Sequence, residues 1–154
     1  PKRSAPELGY PVALKHWDEI GKGRLVAKTQ DVGALVDSVV VCLYLSLIQW
    51  VQPSQYAQML NSACGWDTDK DELLLTGERI SNLRRMFSYR RASTSRKDDI
   101  LPARVLTQRL DGGTKGYIPH LGLMLNEYYA ARGWSEEGIP TKEKLAQLGL
   151  QECL

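Results

Sequence analysis

Cysteine is scarce in this sequence. There are three, Cys42, Cys64 and Cys153, an odd and widely spaced set that argues against a disulfide framework and contains no pair with metal-ligand spacing. Such usage suits a reducing compartment, so a cytoplasmic location is expected. Histidine occurs only twice, as His16 and His120, too far apart in sequence for a Ser-His-Asp or Cys-His arrangement to be read from spacing. Glycine-rich phosphate loops are absent. An excess of one charge is lacking too: 20 basic against 18 acidic residues leave +2, so no overall field calls for a nucleic acid or an anionic membrane. The first residues, PKRSAPELGYP, have neither an initiating Met nor the apolar core of a signal peptide, and a piece cut from a longer chain is expected.

What is present is enough for one domain over residues 1–154, since the chain is 43% hydrophobic. Prolines 1, 6 and 11 make the entry irregular. From about Lys22, the positions Leu25, Val26, Val32, Leu35, Val36 and Val39 recur at helical spacings. The β-branched run Val39-Val40-Val41 predicts that the backbone changes course between Asp37 and Cys42. A second helix is expected from Pro53 to Cys64, with proline in its first turn and Gly65 beyond its end. A third begins at Thr68 as cap, with acids in its first turn and arginines toward its end, and with Leu73, Ile80, Leu83 and Phe87 on a core face. Residues from there to about 119 read as irregular. A helix bearing Met124, Leu125, Tyr128 and Tyr129 then closes at Gly133-Trp134, and a last one runs from Thr141 to Gly149. The two Gly-Trp pairs predict Trp66 and Trp134 packed back on their helix ends. No strand alternation is persuasive, so the expected class is all-α, an irregular multi-helix domain with long loops.

Three features invite a functional reading. The run Val32 to Val51 approaches the roughly 20 residues of a bilayer span, but Asp37 near its middle makes a buried protein helix the better reading. An acid in such a run needs a partner if buried. Cys42 alone is more often a small buried apolar residue than a ligand, and Asp37 alone could cap a helix or pair with an arginine from the long basic loop that follows the third helix. Seven basic residues between Arg79 and Lys97 enclose Phe87 and Tyr89. Phe87 falls on the apolar face and Asp98-Asp99 follow, which favours a solvated face with internal ion pairs over a nucleic-acid partner.

The stretches GERISNLRRMFSYRRASTSRKDDILPAR, residues 77–104, and MLNEYYAARGWSEEGIPTKEKLAQLGL, residues 124–150, resemble the C-terminal region of aldehyde ferredoxin oxidoreductases. The resemblance rests on Gly77-Glu78-Arg79-Ile80, Asp98-Asp99, Leu101-Pro102, Glu127-Tyr128-Tyr129 and Arg132-Gly133-Trp134 in order and spacing. It implies an enzyme with tungsten or molybdenum held by two pterins, and one 4Fe-4S cluster, oxidising an aldehyde or related oxo substrate with ferredoxin as electron acceptor. That family carries a motif of the form D-x-x-G-L-C, and Asp37-Ser38-Val39-Val40-Val41-Cys42 keeps its acid and thiol spacing. By resemblance, Asp37 and Val41 contact the pterin and Cys42 is a cluster ligand. Val40 stands where the motif has glycine, and a β-branched side chain resists the positive backbone angles that glycine permits.

A cluster needs four thiolates, so the other ligands and the catalytic residues are implied to come from upstream domains of the same enzyme. The chain alone is then expected to hold no metal and to be inactive, while the whole enzyme has no membrane partner and leaves room for a homo-oligomer. The competing expectation is a non-catalytic helical binding module that has lost its cofactor.

Overall fold

The computed structural model describes residues 5–10, 12–15, 17–42, 44, 51–107 and 116–153. Among the described residues the helices include α1 (Lys22–Ser38), α2 (Pro53–Cys64), α3 (Lys70–Ala92), α4 (Ala103–Thr107), α5 (Leu121–Arg132) and α6 (Lys142–Gln147), with single 3-10 turns at Pro6–Leu8, Arg96–Asp98 and Gln151–Cys153. Among the described residues there is no sheet, only isolated bridges between Ala5 and Tyr10 and between Trp134 and Pro140. The class is all-α, as expected.

Helix α1 is the axis of the molecule: α3 and α5 pack along it, and α2 lies on α3. Close approach depends on two glycines. A side-chain carbon at Gly77 would stand 2.2 Å from the Asp31 carbonyl oxygen, and one at Gly23 would stand 2.5 Å from that of Met124. Leu35, Val36, Tyr56, Ala57 and Leu73 form a core cluster against which Val32, Val39, Val41, Val51 and Leu60 pack. Burying a side chain of this kind contributes about 1.5–3 kcal/mol, which fixes the C-terminal half of α1 against α2 and α3.

Most boundaries follow from local capping. Helix α2 starts with Pro53 in its first turn and the Gln52 N–H donating to the Gln55 side chain, and it ends at Gly65 in the left-handed region. Helix α3 is capped by Asp69, whose carboxylate accepts from the N–H groups of Asp71 and Glu72. That is one residue beyond the expected Thr68, whose hydroxyl donates to Glu72 instead. Thr141 caps α6 as expected. The N-terminus of α1 is capped from outside its own sequence: Glu127 on α5 accepts from the N–H groups of Gly21 and Gly23.

Several expectations are corrected. Leu83 and Phe87 are 46% and 63% exposed, so they do not belong to the inner face of α3, which instead presents Leu73, Gly77, Asn82 and Met86 to the interior. The crossing of α1 at Gly77 selects that face, and the Phe87 ring carries the Arg91 guanidinium 5.8 Å from its centroid. Trp66 is 58% exposed rather than packed down. The stretch after α3 contains the short helix α4, which Pro102 permits because it precedes the first helical turn. The apolar run does not stay helical: α1 stops at Ser38, and among the described residues no helix is long and apolar enough to cross a membrane. Residues 43 and 45–50 of that run, and His16, lie outside the described residues.

Candidate functional site

The segment from Asp37 to Cys42 is shaped by the way α1 ends. The Val40 N–H donates to the Asp37 carbonyl and the Val41 N–H to the Val36 carbonyl, with Val40 at φ +56°. That pair of bonds is the Schellman ending, which needs a left-handed residue at the first and an apolar contact from the second. Val41 supplies the contact by packing on the core cluster that contains Val36. The chain therefore changes course where the valine run predicts, and Val40 occupies the conformation in which glycine is favoured.

Around this turn the two chemically distinctive groups face solvent. The Asp37 side chain is 63% exposed and lies 3.9 Å from the guanidinium of Arg84 on α3, which is 64% exposed. Cys42 is an exposed free thiol, and Val40 is 90% exposed. The expectation that the acid is buried within the apolar run is thus corrected. Asp37 falls on the outer side of the last turn of α1 and bears no desolvation cost, and an exposed ion pair such as Asp37–Arg84 contributes about 0–1 kcal/mol. Its partner comes from α3, not from the basic loop.

Chemically, an exposed carboxylate can accept hydrogen bonds from N–H donors, and an exposed thiol can lose its proton and bind a soft metal. One thiolate does not make a metal site. Among the described residues no group of three His, Cys, Asp or Glu side chains is placed to hold a metal ion. One carboxylate and one thiol amount to part of the donor set that a metal or cluster takes. Beside the same helix end, Leu35, Ser38, Val39, Leu60 and Trp66 line a largely apolar cleft of about 540 Å³.

Two polar clusters that the sequence reading did not assemble account for much of the buried charge. Arg132, 1% exposed, donates to the Asp31 carboxylate, the Ala27 carbonyl and Gln30, and Ser81 also donates to Asp31. Burial pushes the Asp31 carboxyl up against the opposing pull of Arg132. In the second cluster Arg85 grips Asp99 through two bonds of 2.9 and 2.6 Å, the Tyr129 hydroxyl donates to Asp99, and the Trp134 ring N–H donates to Asn82. The Arg85–Asp99 pair is the internal ion pairing expected of the basic segment. Arg132 and Asp99 lie in the stretches that carry the family resemblance and are legible as matched positions, but their partners are not: Asp31 lies on α1, outside those stretches, and Arg85 is not among the matched positions. A groove of about 640 Å³ beside Asp31 and Arg132 also holds Lys28 and Glu127, which are engaged by the Leu8 carbonyl and the start of α1.

Comparison with known proteins gives a consistent result. Residues 2–150 match the family model for aldehyde ferredoxin oxidoreductase, domains 2 and 3. The tungsten-containing aldehyde ferredoxin oxidoreductase of Pyrococcus abyssi (strain GE5 / Orsay) is 38% identical over 153 residues, covering 97% of this chain and 25% of that protein. The WOR-like subunit of an aliphatic sulfonate oxidoreductase from Pyrococcus furiosus is 27% identical over 158 residues, with 96% of this chain and 25% of that protein covered. Among solved structures, the active-site complex of benzoyl coenzyme A reductase with 1,5-dienoyl-CoA superposes with a TM-score of 0.56 at 29% identity. It covers 67% of this chain and 14% of the other. The chain spans about a quarter of the length of the curated relatives it matches.

Proposed function

Because this chain belongs to the aldehyde ferredoxin oxidoreductase family, we propose that it forms one wall of the cofactor cavity of a tungsten- or molybdenum-pterin oxidoreductase. The reaction would be the oxidation of an aldehyde: aldehyde and water would give a carboxylic acid, two protons and two electrons, with ferredoxin as the electron acceptor. When bound, the metal-pterin group and the cluster supply the oxygen-transfer and electron-transfer chemistry. This chain's residues hold and orient. The Asp37 carboxylate accepts N–H donors of a pterin ring, Val41 fixes the turn beside it by packing on the core cluster that contains Val36, and the Cys42 thiolate is one cluster ligand. The remaining ligands come from upstream domains of the same enzyme, and the assembly works in the cytoplasm, as a monomer or homo-oligomer.

The observation that carries this reading is the Asp37–Cys42 segment itself. A carboxylate and a thiol at family spacing are both presented to solvent on a turn whose backbone is locked by Val41. Metal analysis of the full polypeptide prepared without oxygen tests it. Tungsten or molybdenum together with iron is expected, and a preparation lacking all three counts decisively against the enzyme. A second reading, a helical binding module that has lost its cofactor, draws support from the Asp37–Arg84 contact, which gives the acid a partner without any cofactor.

A further inference from the structure

Gly33 lies well inside α1, where glycine is disfavoured more than any residue but proline. Elsewhere in α1 and α3 a glycine marks a crossing: a side-chain carbon would strike the α5 backbone at Gly23 and the Asp31 carbonyl at Gly77. At Gly33, no described atom outside the helix's own backbone lies within 4 Å of where a side chain would begin. The glycine is therefore unexplained by the packing of these residues. Its surroundings are also short of charge. From Thr29 to Val36 the helix carries a single ionisable residue, Asp31, and that carboxylate is turned inward to Arg132. Thr29 and Gln30, which are exposed, are neutral. A helix face left to water normally carries charged side chains. This one offers about two uncharged turns with a bare backbone among them.

The relatives that this chain matches are about four times its length, so most of such an enzyme lies beyond these residues. One turn past Gly33, on the same side of α1, stands the exposed Asp37. We propose that an uncharged segment from the upstream part of the same polypeptide packs on the outer face of α1, its backbone crossing the helix at Gly33. This rests on the reading above that the chain is one wall of a larger enzyme. A glycine at the crossing lets two backbones approach more closely than a side chain would allow, as Gly77 does where α3 meets α1. A charged group brought onto this strip would lose water and find no opposite charge, which restricts the partner to neutral residues.

The test uses the full polypeptide. In the 154 residues by themselves an added methyl group at position 33 meets nothing, and Gly33→Ala gains stability there. In the full polypeptide the sign reverses: Gly33→Ala is expected to melt about 2–4 °C below wild type, because the methyl group overpacks the crossing. A melting temperature equal to or above that of wild type overturns the proposal. Thr29→Cys, one turn away on the same face, leaves Gly33 in place and is coupled to a benzophenone maleimide. After irradiation and digestion, mass spectrometry is expected to find residue 29 joined to peptides from upstream of Pro1. Joining only to residues 1–154, to a second copy distinguished by isotope labelling, or to nothing overturns the proposal. Metal analysis of the same preparation reports on the enzyme reading separately: upstream peptides joined at residue 29 in protein devoid of tungsten, molybdenum and iron would uphold the packing and refute the cofactor.

Discussion

Arg132 and Tyr129 sit one turn apart on α5 and show what single side chains contribute here. Arg132 is a buried cation held by Asp31, and removing one member of such a pair is far worse than removing both, because the survivor keeps its desolvation cost. Asp31→Ala is therefore expected to destabilise by about 3–5 kcal/mol, and the double change Asp31→Ala with Arg132→Met to recover most of that loss, read from denaturant midpoints. Additive losses would refute the pairing. Tyr129 responds to pH. Its burial, then its hydrogen bond to the Asp99 carboxylate and that charge, push the phenol up from its usual value. The folded state thus holds the proton more tightly than the unfolded chain, so the contribution is intact below about pH 10 and is lost as pH rises beyond it. Alkaline unfolding should be blunted in Tyr129→Phe, and an unchanged alkaline limb would show that another group drives it.

Helices α1 and α3 illustrate what a whole element demands. Along α1, Gly23 meets the backbone of α5, whereas Gly33 has no neighbour within 4 Å of where a side chain would begin. Gly33→Ala is expected to stabilise by about 0.5–1 kcal/mol through the unfolded chain. Gly77→Ala on α3 would drive a methyl group into the Asp31 carbonyl, with backbone on both sides unable to give way, and should destabilise by about 3 kcal/mol or more. Thermal melting of the two variants decides this, and similar shifts would mean that α1 and α3 are not in close contact. The same elements show which parts of the fold are legible in the sequence. The bounds of α2 are, since Pro53 and Gly65 act locally. The inner face of α3 is not, because apolar residues lie all around it and only the crossing at Gly77 chooses Met86 over Phe87. The end of α1 was marked by its valine run, but its exposure was hidden by the same apolar residues. Their uniform hydrophobicity conceals that Val39 and Val41 turn inward while Asp37 and Val40 turn out.

Taken whole, the chain is a helical body with a carboxylate and a thiol exposed beside the end of α1. Among the described residues the buried charges Asp31 and Arg132 pair with each other, Arg85 pairs with Asp99, and a core joins α1, α2 and α3. The 37–42 segment turns its acid and its thiol outward. A cubane cluster takes four thiolates, and the 154 residues contain three cysteines in all. These are Cys42 at the end of α1, Cys64 at the end of α2 and Cys153 in the last 3-10 turn. The 154-residue chain alone, supplied with iron and sulfide under reducing conditions, should therefore stay helical by circular dichroism and develop no iron-sulfur absorbance. A stable cluster band would refute the view that ligands from other segments are needed. In the 154-residue chain alone, Cys42→Ser changes an exposed position, so stability should shift by no more than about 0.5 kcal/mol. In the full polypeptide the same substitution should abolish or alter the electron paramagnetic resonance signal of the proposed cluster. An unaltered signal after that substitution would assign the cluster to other residues and leave the 37–42 segment to the binding-module reading.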